Sequence, residues 1–352
     1  MKRLSDIPFS VLDLAPVRQG GTVSEAFANA LDLARHVEAF GYRRYWLAEH
    51  HSIPGIVSAA TSVVIGYIAG GTKRIRVGSG GIMLPNHPPL VIAEQFGTLE
   101  SMYPGRIDLG LGRAPGGDMR TANALRRPLT GSGDSFPQDL EELRGYFRPG
   151  GPGNGVRAVP GEGLDIPVYL LGSSDFSARL AGELGLPFAF ASHFAPDYLH
   201  EALTIYRAAF VPSDALDAPY AIVAVNAFAA DTDAEARRLF TTAQQQFLNI
   251  IRGTRGLLPP PVENMNRIWS PVERARVERM MSCSAVGSPD TVRRGLEAIV
   301  ADTGADELIA TAQIYDHAAR VRSFEIVAGL RDDGGTGAGG ETESIAAMAI
   351  RR

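Results

Sequence analysis

The acidic residue and paired histidines Glu49, His50 and His51 are the first side chains in this chain equipped to do chemistry. An imidazole exchanges protons near neutral pH, and a neighbouring carboxylate can fix its orientation. The same trio could instead be a structural hydrogen-bonded cluster or supply metal ligands. They end YRRYWLAEH, a run with the composition of a strand. Successive side chains on a strand point to opposite faces, so only one of the two histidines is expected at a shared mouth. A metal would need further ligands, and the strand ends add only His193 and scattered acids, so no metal is expected.

A second group has the chemistry of an anion site. Arg113 follows LGLG, and Ser173, Ser174 and Ser177 open a helical segment. Hydroxyls, free amides at a helix start and a guanidinium together can cradle a phosphate. The bland alternative is a surface arginine and a serine cap. Gly80 and Gly81 in VGSGGIMLP permit close backbone approach to something flat, or else fill a tight layer. LGLGRAPGG lacks the GxGxxG spacing of a dinucleotide loop. Cys283 is the single cysteine, which excludes intrachain disulfides and cysteine-based metal clusters.

These residues need a scaffold that gathers strand ends on one rim. Short β-branched runs alternate with segments of helical period: PFSVLDLAP, YRRYWLAEH, RIRVGSGGIML, RIDLGLGRAP, IPVYLLG, PFAFASHF, YAIVAVNAFAA and ELIATAQI. Eight such units predict an α/β fold, a closed (β/α)8 TIM barrel, whose reacting groups lie at the carboxyl ends of the strands. His50, His51, Gly80, Gly81, Arg113, Ser173, Ser174, His193, Gln313 and Tyr315 all fall there. The first helix is expected to start with Ser24 as its cap. Residues 252–284, before an extra helix and the eighth strand, are too long for a simple connection and read as a lid, with Trp269 in it and Phe247 nearby. One domain is expected over 1–331, with a flexible tail over 332–352.

Composition narrows the partners. A formal charge of −5 with no long basic run gives no footprint for nucleic acid. No segment reaches the roughly 20 apolar residues of a membrane span, and the first residues lack a signal peptide's apolar core, so a cytoplasmic location is expected.

Taken in order, YWLAEHH, RIRVGSGGIMLPNHPPLVIAEQFGTLESMYPGRIDLGLGR, PVYLLGSSDFSARLAGELGLPFAF and VGSPDTVRRGLEAIVADTGADELIATAQIYDH resemble the bacterial luciferase-like flavin-dependent monooxygenases, especially the single-chain subgroup. The likeness runs from about residue 7 to residue 330. It implies FMN at the rim, received as FMNH2 from a separate flavin reductase, O2 as co-substrate and a homodimer. It further implies that His50 assists the oxygen chemistry, that Arg113, Ser174 and Ser177 hold the 5′-phosphate with Ser173 beside them, and that Gly80–Gly81 is a cis peptide beneath the flavin. The oxygenating species would be a C4a-peroxyflavin, which must be shielded from water. His51, His193 and Trp269 are further substrate or lid candidates.

Two positions depart from luciferase itself. Gly112 stands where luciferase has a reactive cysteine, so light emission is not implied. Ser173 replaces a glutamate, which removes a negative charge near the phosphate. Competing readings are a coenzyme F420-dependent dehydrogenase on the same barrel, a non-catalytic flavin-binding protein and a metal hydrolase built on the Glu49 cluster.

Overall fold

The computed structural model describes residues 2–114, 119–125, 135–153 and 155–331. Its elements follow one another as β1 Phe9–Asp13, α1 Val23–Ala39, β2 Arg44–Leu47, α2 Thr61–Gly71, β3 Arg76–Ser79, β4 Ile82–Met83 and α3 Pro89–Met102. They continue as β5 Ile107–Gly112, α4 Met119–Leu125, α5 Phe136–Phe147, β6 Val168–Gly172, α6 Asp175–Glu183, β7 Phe188–Phe190 and α7 Leu199–Ala209. The last are β8 Ala221–Ala229, α8 Asp233–Arg252, α9 Pro271–Met280, β9 Ser284–Gly287, α10 Pro289–Thr303, β10 Glu307–Thr311 and α11 His317–Gly329.

All strand pairings are parallel, in the order β10-β1-β2-β3-β5-β6-β7-β8. The sheet closes because β10 pairs with β8, from Glu307↔Ile222 to Thr311↔Asn226. The fold is therefore the expected (β/α)8 barrel. Two short strands were not anticipated. The third predicted strand breaks at Gly80–Gly81 into β3 and β4, and β9 pairs with the C-terminal half of β8 (Asn226↔Ser284). The cap of α1 is Thr22 rather than Ser24, because its hydroxyl accepts the Glu25 amide while the Glu25 carboxylate accepts the Thr22 amide. The predicted tail over 332–352 lies outside the described residues.

Strand alternation sorts the side chains into two cores. Leu12, Leu14, Trp46, Ala48, Tyr169, Ala189, Ile222, Ala224 and Ile309 form a cluster inside the barrel, separate from the larger one between strands and helices. Beneath this inner cluster the barrel is filled by charge. Arg44 of β2 bonds Asp108 of β5 at 2.8 Å and Glu307 of β10 at 2.8 and 3.0 Å. None of these strands is a neighbour of another in the sheet, so the bonds cross the lumen. Arg76 reaches Asp108 at 2.6 Å, and Trp46 Nε1 donates to the same carboxylate at 3.0 Å. Two cations thus meet two anions with Tyr169 and Tyr220 hydroxyls completing the shell. Burial alone would push the Asp108 carboxyl upward, but Arg44 and Arg76 outweigh it and hold its pKa below the ordinary range.

Arg44→Ala should cost on the order of 3–5 kcal/mol in urea denaturation, because it leaves Glu307 and part of Asp108 buried without a counter-charge. A loss below about 1 kcal/mol would show that the plug is not what ties the strands together.

Candidate active site

The alternation that puts Arg44, Trp46 and Ala48 inside the barrel carries His50 to the same side, just beyond the end of β2. Glu49 and His51 turn the other way, as the strand period requires. Glu49 is fully buried, and its carboxylate accepts bonds from His51 Nε2 at 2.6 Å, His87 Nε2 at 2.9 Å and the Met83 amide at 2.9 Å. Burial would raise its pKa, yet the bonds from His51 and His87 and the amide of Met83 bring it down to about 2. This cluster fastens the end of β2 to the turn after β4. The three possible ligand atoms lie within 4.8 Å of one another. Hydrogen bonds among them and the backbone account for the grouping. His87 was missed by sequence reasoning, although the signal was available in PNHPPL, a histidine among prolines just after a predicted strand end.

Next to the end of β2, where the Gly80 amide donates to the Leu47 carbonyl at 2.8 Å, Gly80–Gly81 is a cis peptide. Both residues are glycine for a steric reason: a Cβ on Gly80 would meet Leu12 Cδ1 at 2.7 Å and one on Gly81 would meet the Gly110 carbonyl oxygen at 2.7 Å. A Cβ on Gly112 would come to 3.0 Å from Met83 Sδ. Small residues therefore line the β3–β5 side of the rim, where backbone itself is the surface.

Arg113 stands immediately past β5 with its guanidinium 4.3 Å from the centre of the Phe176 ring. Among the described residues no carboxylate pairs with it. Phe176 lies in the first turn of α6, whose cap is Ser174 in extended conformation with a hydroxyl that makes no capping bond. Ser177 is buried against the end of β6, since a Cβ on Gly172 would meet its Oγ at 2.6 Å. Ser173 is half-buried between them. The start of α6, where the Phe176 amide already donates to the Asp175 carboxylate at 2.9 Å, thus brings three serines beside an arginine that has no acid partner among the described residues.

The opposite side of the rim is formed by the ends of β7, β8 and β10. His193 lies three residues past β7, and burial, helped by the charge of His50, pushes its pKa down to about 3. Its Nδ1 is buried without a partner. Its carbonyl accepts from Asn226 Nδ2 at 2.7 Å. Gln313 is half-buried beyond β10, and the Tyr315 hydroxyl donates to the Gln19 carbonyl at 2.7 Å. Cys283 is buried packing whose thiol pKa is raised by its burial.

The rim thus brings together His50, His193, Gly80, Gly81, Arg113, Ser173, Ser174 and Ser177. His51 points into the Glu49 cluster instead. The segment over 252–284 divides in two. Leu258 exchanges backbone bonds with Val17 and Gln19, both 2.8 Å, and so crosses the rim beside the loop after β1. Farther on, Arg252 pairs with Glu273 and α9 docks beside α8. Trp269 lines a cleft with Phe240, Thr241 and Gln244 of α8, away from the histidines. Phe247 is buried between α8 and the barrel. Among the described residues no helix is long and apolar enough to cross a membrane.

Comparison with known proteins gives the arrangement a lineage. Residues 7–307 match the model of the luciferase-like monooxygenase family. A luciferase-like monooxygenase of Escherichia coli (strain K12) is 56% identical over 327 residues, covering 93% of this chain and 98% of the relative. The crystal structure of apo-MsnO8 superposes with a TM-score of 0.82 at 36% identity, covering 92% of this chain and 98% of that one. The oxygenating constituent of 3,6-diketocamphane monooxygenase from Pseudomonas putida, solved in complex with FMN, superposes with a TM-score of 0.70 at 22% identity, covering 92% and 97%. At that identity the last likeness is one of fold.

Proposed function

The chain belongs to the luciferase-like monooxygenase family, and from that premise we propose that it is an FMN-dependent monooxygenase that oxygenates a small organic substrate at the carboxyl rim of its barrel. The observation that carries the reading is the anion cradle: Arg113, with no carboxylate partner among the described residues, seated on Phe176 at the start of α6 beside Ser174, whose hydroxyl makes no capping bond. That donor set fits a phosphate monoester, and the Gly80–Gly81 surface fits the close approach of a flat ring. The same fold holds FMN in the Pseudomonas putida protein.

When bound, reduced FMN supplies the two electrons that let dioxygen give one oxygen atom to the substrate and the other to water. The residues of this chain do the rest. Arg113, Ser173, Ser174, Ser177 and the amides of α6 bind and orient the phosphate. Gly80 and Gly81, where no side chain has room, would offer backbone to the ring. His50 holds or moves a proton at its imidazole beside the reacting atoms. His193, kept neutral by burial, adds no second charge to the mouth. The inner cluster below and the strand of chain at Leu258 across the rim limit access of water. The rest of the 252–284 segment acts as a lid only through this crossing stretch. On this reading FMNH2 arrives from a separate flavin reductase, as the family resemblance implies.

Arg113→Ala should weaken FMN binding by roughly 10- to 100-fold in a fluorescence titration while far-UV circular dichroism stays unchanged, the loss expected for one charge-assisted bond. Equal affinity in the variant would place the phosphate elsewhere, and preference for the deazaflavin F420 over FMN in the wild type would replace the monooxygenase with a dehydrogenase.

The working unit is a homodimer. Val63 and Tyr67 on α2 and Val91 and Met102 on α3 are exposed on two helices that pack side by side, an apolar face suited to a two-fold interface. Sedimentation at micromolar concentration should give twice the mass of the chain; a single-chain mass would refute the dimer.

A further inference from the structure

Of the polar groups on the β7–β8–β10 side of the rim, His193 enters the chemistry above only as a neutral ring and Asn226 and Thr311 not at all, and their state is unusual. Thr311 and Asn226 are register partners on adjacent strands, each one step beyond a residue of the inner cluster, Ile309 and Ala224 respectively. Alternation therefore places both side chains on the lumen side. The Thr311 hydroxyl is buried with no hydrogen-bond partner, as is His193 Nδ1. The Asn226 amide is committed on one side only: its Nδ2 donates to the His193 carbonyl, which leaves Oδ1 as a fixed acceptor with no donor among the described residues. Buried polar groups in folded proteins are nearly always paired, because a missing partner costs the full desolvation of the group. Here two of them, His193 Nδ1 and Thr311 Oγ1, lie on one side of the rim, beside the half-used amide of Asn226.

Their order matters. Across three neighbouring strands they present a nitrogen of His193, the Asn226 carbonyl oxygen and the Thr311 hydroxyl. With the proton on Nδ1 the sequence is donor, acceptor, donor. We propose that His193, Asn226 and Thr311 form a subsite for the imide edge of a ring ligand, a carbonyl, an N–H and a second carbonyl in succession. The ligand edge is uncharged, because the cluster beneath it is apolar and the His193 ring is held neutral. Two sources carry this edge: the pyrimidine side of the flavin ring, which rests on the FMN reading above, and a substrate bearing a cyclic amide or imide.

Thr311→Val separates the possibilities, since it keeps the shape and removes only the hydroxyl. The apo protein should melt at the same or higher temperature, because an unpaired buried hydroxyl has been deleted. If the flavin ring is the occupant, affinity for lumiflavin, which lacks the phosphate, should fall about three- to tenfold in Thr311→Val and recover in Thr311→Ser. If the substrate is the occupant, lumiflavin affinity stays constant, and glutarimide binds the FMN-loaded wild type but not Thr311→Val, with N-methylglutarimide binding neither. Unchanged lumiflavin affinity together with no glutarimide binding overturns the subsite. A lower melting temperature for Thr311→Val also overturns it, because the hydroxyl would then be structural. Failure of the wild type to bind FMN would remove the flavin reading alone, as glutarimide binding to the apo protein still reads the subsite.

Discussion

The arrangement of this molecule depends on a charged plug in the narrow end of its barrel. Arg44 spans the lumen to Asp108 and Glu307, and Arg76 closes the set on Asp108, so strands from three parts of the sheet are tied across the axis rather than only edge to edge. Buried ion pairs gain little over apolar packing, but breaking one is costly, so the plug favours a single register. Once β2, β5 and β10 are fixed at that end, the period of two decides every inward residue above it. Trp46 follows Arg44, and His50 follows Ala48. Thr311 follows Ile309, above Glu307.

The active end can then be built from small and polar residues without losing the barrel. Glycines at 80, 81 and 112 would weaken an ordinary sheet, yet here each sits where a Cβ would run into a neighbouring strand or side chain, and the proposed flavin ring would meet backbone there. Glu49 shows the same economy of design from the outer side: buried and fully bonded, it holds His51, His87 and the Met83 amide, and so anchors the backbone on either side of the mouth without entering it. His50, on the inward side, is the histidine that the proposed chemistry uses.

Much of this was legible in the sequence. The eight strand runs gave the barrel because parallel strands buried on both faces are near-continuous apolar runs, which stand out against helical period. Alternation alone said that only one of His50 and His51 could face the mouth, and the resemblance said which. The charged plug was not foreseen: Arg44, Arg76, Asp108 and Glu307 are far apart in the chain and each looks like an ordinary polar residue at a strand start. β9 was hidden because SAVG is too short to show a period, and its partner is the extended top of β8. Trp269 was assigned by type and not by place; α9 and the cleft against α8 depend on tertiary packing that no local pattern encodes. The partnerless hydroxyl of Thr311 is visible only once its neighbours are known.

The central claim is that this rim couples reduced FMN and dioxygen to a substrate under the control of His50. Its most direct measurement is the yield of oxygen-labelled product and of hydrogen peroxide per FMNH2 consumed, with isotopically labelled dioxygen and a panel of thioethers, ketones and aldehydes, for the wild type and His50→Ala. The account predicts that the wild type places one labelled oxygen atom in a product, whereas His50→Ala still binds FMN but loses roughly 100- to 10,000-fold in product formation and releases peroxide instead. Full coupling in the variant, or peroxide alone from the wild type with every class of substrate, would contradict it.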